Sequence, residues 1–187
     1  MIKIGITGSL ASGKSTVAKL ISRGRYPLFD ADKVVANLYK KGKFIKKIKR
    51  RFNIKKSKNI KKEIRNLVKD DKRKLKTLET IIHPLVRSEM RFLMKSKKSY
   101  KILIFDIPLL IESKLMKHFD IIVFVSAKKN LRLRRYLNKK GNKKIFTILD
   151  KRQIKPSKKI KISNYVIYNN STLKILKQKI KFLMKKI

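Results

Sequence analysis

The stretch IKIGITGSLASGKST, residues 2–16, decides the fold. Ile2 to Thr7 is a short apolar run suited to a buried strand of a parallel sheet. Gly8-Ser9-Leu10-Ala11-Ser12-Gly13-Lys14-Ser15 then fits G-x-x-x-x-G-K-[ST] at every fixed position. Over Lys14 to Arg23, Val17, Leu20 and Ile21 recur at helical spacing. Strand, glycine loop and helix in that order is the context in which such a motif holds phosphate. Glycine lets the backbone curl until its N–H groups face inward around the anion. Lys14 reaches the β- and γ-phosphates as a point charge, and the Ser15 hydroxyl can ligate Mg²⁺. The helix that includes Thr16 aims its positive N-terminus at the same anion. Four fixed positions coincide by chance in roughly one chain of this length in a few hundred. Nucleoside triphosphate binding is therefore preferred over a coincidental glycine turn. The expected ligands are a nucleoside triphosphate and Mg²⁺, held by Gly8, Ser9, Leu10, Ala11, Ser12, Gly13, Lys14, Ser15 and Thr16. The loop alone does not separate kinases from GTPases or motor ATPases.

Working outward, Pro27 is expected to break the first helix, and Leu28-Phe29 leads into Asp30-Ala31-Asp32, a short strand ending in acids. Lys33 to Tyr39 reads as helix. Residues 40–80 are densely basic, with Phe44, Ile45, Ile48, Phe52, Ile60, Ile64, Leu67, Val68, Leu75 and Leu78 spaced as in amphipathic helices. Another helix is expected over 85–97, after His83-Pro84. Lys101–Ile107 and Ile121–Val125 read as strands, Leu131–Lys140 as a basic helix, Gly141-Asn142 as a turn, Tyr165–Ile167 as a short strand and Leu173–Ile187 as a closing helix. Strands alternating with helices imply an α/β fold built on a mostly parallel sheet.

The chain has 187 residues, enough for one domain with a sizeable core. It has no cysteine, which excludes disulfides and thiolate-bound zinc. No signal-peptide plan and no apolar run of membrane-spanning length is present, so a cytoplasmic protein without a membrane partner is expected. The formal charge of +43 raises the possibility of a nucleic-acid partner. The excess is dispersed along the chain and is mostly lysine, whereas bidentate readout leans on arginine. No specific nucleic acid is expected, only weak salt-dependent attraction to polyanions. The sequence leaves the oligomeric state open.

Only 11 acids are available for chemistry. Asp30 and Asp32, two apart on a strand, would leave on the same face at the sheet edge where α/β proteins bind ligands. Asp32 could accept a proton from an acceptor hydroxyl, or cap the following helix. Asp106 ends the strand KILIFD and suits a Walker-B acid holding Mg²⁺, or a capped strand end. Pro108 forces an extended exit, and Glu112 reads as structural. His83, taken alone, is more often a packing residue than a catalyst.

Together these pieces resemble the dephospho-coenzyme A kinase family. IGITGSLASGKSTVAKL, FDADKVVANLY, LETIIHPLVRSEM, ILIFDIPLLIES and VIYNN are similar to that family's blocks in order and spacing, over about residues 2–170. The resemblance implies a P-loop kinase-type three-layer fold with a parallel sheet, a helical substrate-binding insertion and a lid. It implies a single domain over 1–187, with the core at about 1–35 and 100–187, the helical region at about 36–99 and the lid at about 138–160. The implied reaction is transfer of the ATP γ-phosphate to the ribose 3′-hydroxyl of dephospho-CoA, a small-molecule substrate. Asp32 and Lys14 would be catalytic. Asp32, His83, Arg87, Pro108 and Leu109 would bind the acceptor, Ser15 and Asp106 the metal, and Arg135 and Lys139 would belong to the lid. Lys139 or Lys140 stands where the family often has a lid arginine, and Lys158-Lys159 and Ser163-Asn164 replace the family's acidic-lysine and "A-D" segments. Two other readings stay open: a nucleoside or nucleotide kinase with another acceptor, and a nucleic-acid-binding protein that uses ATP as a switch.

Overall fold

The computed structural model describes residues 1–55, 57, 59–69 and 71–187. The chain divides into two compact units, residues 1–30 with 97–187, and residues 31–96.

The first unit is built on a five-stranded sheet, β1 (Ile2–Gly8), β2 (Leu28–Asp30), β3 (Ile102–Asp106), β4 (Ile121–Ser126) and β5 (Tyr165–Tyr168). The spatial order is β2-β3-β1-β4-β5, and every pair is parallel. Parallel strands buried on both faces need apolar residues at successive positions, and β1, β3 and β4 have them. On one face Ile4, Ile6, Ile104, Val123, Val125 and Ile167 pack against α1 (Lys14–Ser22) and α9 (Leu173–Lys186) through Val17, Ala18, Ile21, Leu176, Ile180 and Leu183. The other face carries Phe105, tilted against Phe29 and edge-on to Phe119, and Phe124 beside α8 (Pro156–Ile162). Helices α6 (Lys129–Asn138) and α7 (Lys143–Arg152) meet through Tyr136 and Phe146.

The helix α1 stops earlier than Pro27: it ends at Ser22, with Arg23 in the left-handed C-cap conformation and its N–H on Lys19 O. Helices α7 and α8 were not foreseen, because lysine-rich segments dilute the apolar period. Asn142 starts α7 by accepting from the Lys144 and Ile145 N–H groups, and Pro156 starts α8 at a position where its missing N–H costs nothing.

The second unit holds α2 (Ala31–Leu38), α3 (Gly42–Arg51), α4 (Ile60–Lys69) and α5 (Lys72–Ser96). Leu38, Phe44, Ile48, Ile54, Ile64, Leu78 and Ile81 form its core. Tyr39 lies edge-on to Phe44, and burial pushes its phenol above the ordinary tyrosine range. Asp71 starts α5 by accepting from the Arg73 and Lys74 N–H groups, and the Lys74 backbone bond holds its carboxyl below the usual range. The expected break at His83-Pro84 does not occur. Helix α5 runs through Pro84 for 25 residues. Proline removes one helical hydrogen bond, but Leu78, Ile81 and Met90 anchor the helix on both sides of it.

Candidate active site

The carboxyl ends of β1, β3 and β4 lie level, with Ile6 opposite Asp106 and Gly8 opposite Val125. The 8–15 loop leaves β1 at that edge. A side chain at Gly8 would place its Cβ 2.5 Å from Ser12 Oγ and 2.8 Å from Val125 O, so only glycine lets the loop start this close to β4. Gly13 has φ 92° and sits against the Asn169 amide. Gly13→Ala must therefore push Asn169 away and hold alanine in a left-handed backbone, a strain of about 1–3 kcal/mol. The expected result is at least about tenfold weaker ATP binding with a folded protein, checked by titration calorimetry and a thermal melt.

No side chain caps α1 at Gly13, which leaves its leading N–H groups for an external acceptor. Ser15 and Thr16 in that first turn are exposed. Lys14 is folded onto Asp106 in a nearly dry ion pair, their side chains 11% and 2% exposed. The sequence assigns Lys14 to phosphate and Asp106 to a metal or a strand cap; their pairing with each other is visible only in the structure. Thr7 Oγ1 donates to Pro108 O at 3.0 Å, tying the 107–110 exit to the end of β1 just before the loop. Pro108 is half-buried, and Leu109 is 37% exposed.

The donor set bears on a metal. Among the described residues no group of three or more His, Cys, Asp or Glu could hold one unaided. A Ser15 hydroxyl and one carboxylate, Asp106, match a hard cation that takes its other ligands from phosphate and water, as Mg²⁺ does. The residues present fit that ion.

Asp30 and Asp32 depart from the strand reading. Asp30 ends β2 in register with Asp106, but Ala31 already begins α2, so Asp32 lies exposed in the first turn of a helix and not on the same strand face. It is also inside the helix, past the capping position. A carboxylate there complements the helix dipole. His83 and Arg87, one turn apart on α5, are both half-buried. Lys139 follows α6 and is exposed.

Arg135 was expected in the lid. It lies on α6, and its guanidinium donates to Ser12 O at 3.3 Å and to Asn169 O at 3.0 Å. Asn169 follows β5, anchored by its N–H on Ser126 O, and its side-chain amide donates to Ser12 O at 2.8 Å. Ala11, Gly13, Thr16, Arg135, Lys139 and Asn169 are among the residues around a cavity of about 290 Å³ at this end of the loop. Further contacts escaped the sequence reading. Arg132 binds Asp150 and Leu10 O, and Gln153 Oε1 accepts from Leu10 N at 3.0 Å. Lys159, wholly buried, pairs with Glu112 at 2.6 Å, and Glu112 also accepts from Ile154 N. Arginine and lysine in so basic a chain carry no local mark of such a role. Asn169 alone had a signal, in the VIYNN block.

Comparison with known proteins shows the family of the chain. Residues 2–174 match the family described as Dephospho-CoA kinase. A curated dephospho-CoA kinase of Fusobacterium nucleatum is 37% identical over 182 residues, covering 95% of this chain and 94% of that protein. One from Bartonella henselae is 32% identical over 189 residues, covering 98% and 97%. The crystal structure of TT1252 from Thermus thermophilus superimposes with a TM-score of 0.82 at 28% identity, covering 100% of this chain and 97% of that one.

Proposed function

The chain belongs to the dephospho-CoA kinase family, and from that membership we propose that it transfers the γ-phosphoryl group of ATP to the ribose 3′-hydroxyl of dephospho-CoA, the last step of coenzyme A synthesis. The observation that carries the chemistry is the intact phosphate loop with Lys14 held on buried Asp106.

In this proposal the loop from Gly8 to Thr16 and Lys14 hold the triphosphate, and the cavity beside Arg135 and Asn169 takes the nucleoside end. Ser15 and Asp106 would hold Mg²⁺, which when bound would supply positive charge to offset that of the triphosphate. Lys14 exchanges its contact with Asp106 for phosphate oxygens. Asp32 orients the acceptor hydroxyl and takes its proton as the new O–P bond forms and the bond between the γ-phosphorus and the β–γ bridging oxygen breaks, leaving ADP. His83 and Arg87 bind the acceptor from α5, and Pro108 and Leu109 do so from the exit of β3. Lys139 contributes a lid cation, as a point charge without an arginine's fork.

The test is direct. Purified protein with ATP and Mg²⁺ should convert dephospho-CoA to a product heavier by one phosphoryl group, identified by mass. ATP binding without any phosphorylation of that acceptor would reject the acceptor and point to another nucleoside hydroxyl.

A further inference from the structure

Helix α6 carries two arginines one turn apart, and each reaches a main-chain carbonyl of the phosphate loop. Arg132 Nη1 donates to Leu10 O at 3.2 Å, and Arg135 Nη1 donates to Ser12 O at 3.3 Å. Each carbonyl belongs to the peptide that leads into a left-handed residue, Ala11 with φ 58° and Gly13 with φ 92°. In a trans peptide the C=O and N–H point in opposite directions. Holding Leu10 O and Ser12 O toward α6 therefore turns the Ala11 and Gly13 N–H groups away from it. N–H groups set in this way by left-handed residues form an anion nest. Alanine adopts that backbone only at a cost of about 1–2 kcal/mol, so Ala11 needs an external hold.

Arg132 is built for that hold. It is 4% exposed, and its Nε donates to Ala127 O at 3.1 Å. Nη1 and Nη2 bind the two Asp150 oxygens at 2.6 and 3.3 Å, and Phe146 lies 5.6 Å from the guanidinium carbon. Leu10 is gripped at its other polar group too, since its N–H goes to Gln153 Oε1. The chain beside Gln153 is fixed in turn by Ile154 N on Glu112.

We propose that Arg132 and Arg135 are positioning residues that set the two peptide planes of the phosphate loop, with Arg132 acting wholly through the loop because it is buried. The proposal rests on the ATP-binding reading above. Arg135 also borders the cavity at the loop, so the discriminating variants are Arg132→Lys and Asp150→Asn. A lysine ammonium cannot serve Ala127 O, Leu10 O and both Asp150 oxygens at once. The readout is calorimetric affinity for ATP set against affinity for adenosine, which lacks the phosphates.

For Arg132→Lys, ATP binding should weaken about tenfold and adenosine binding should stay within about twofold of the parent. Asp150→Asn should show the same selective loss, about threefold. Unchanged ATP affinity in a folded variant, or parallel loss of ATP and adenosine, overturns the proposal. If Arg132→Lys does not fold, Asp150→Asn decides by the same criterion. A parent protein that does not bind ATP at all would instead remove the nucleotide reading, whatever the variants do.

Discussion

Lys14→Ala abolishes measurable turnover, with kcat falling at least about 10²–10³-fold, and it also destabilises the folded protein. The first effect follows from losing a preorganised cation where phosphoryl charge develops. The second follows from Asp106, whose carboxylate is 2% exposed and has Lys14 as its ion-pair partner. Removing one member of a buried pair leaves the other charge uncompensated, at a cost of about 3–5 kcal/mol. The two effects separate in a second variant. Lys14→Ala with Asp106→Asn removes the stranded charge and should regain most of the lost melting temperature, while turnover stays lost. A coupled ADP-release assay and a thermal melt measure both. A Lys14→Ala protein with kcat near that of the parent would contradict the role given to the loop lysine.

Asp32→Asn is expected to reduce kcat about 10²–10⁴-fold, the range of general acid–base catalysis, with the KM for ATP unchanged. Asparagine keeps the shape and first-turn position of Asp32 in α2 and removes the charge and the proton acceptor. The exposed carboxylate's interaction with the helix dipole contributes about 0.3–1 kcal/mol of stability that asparagine gives up. Steady-state kinetics with dephospho-CoA and ATP varied in turn test this. Full activity in Asp32→Asn, with loss in Asp30→Asn, would move the role to the acid that ends β2.

Acids are scarce here, 11 against 54 lysines and arginines, and their placement is uneven. The pairs Lys14–Asp106, Arg132–Asp150 and Lys159–Glu112 are each largely buried. All lie in the first unit, in the phosphate loop or one or two hydrogen bonds from it. The pairs at Lys3, Lys41 and Lys74 are more exposed, and pairs of that kind contribute about 0–1 kcal/mol.

The sequence by itself determined the phosphate loop, the buried strands on either side of β1, and the family. Each is a local pattern: a run of β-branched residues, glycines at fixed spacing, a lysine and a serine placed by the turn they follow. The helices α3 to α5 were legible as a class, since Phe44, Ile48, Ile64, Leu78 and Ile81 keep the helical period. Where local cues competed, the tertiary structure won. Pro84 looked like a boundary, but burial of the apolar residues around it holds α5 together. Asp30-Ala31-Asp32 looked like a strand end, yet the helix begins at Ala31 and the two acids part company. The strand order β2-β3-β1-β4-β5 and the contacts by which Arg132, Arg135, Gln153 and Asn169 hold the loop are visible only in the tertiary structure. Those four contacts span between 122 and 157 residues of chain. In so basic a sequence, an arginine that orients a peptide plane differs from one that faces water only by what the fold places beside it.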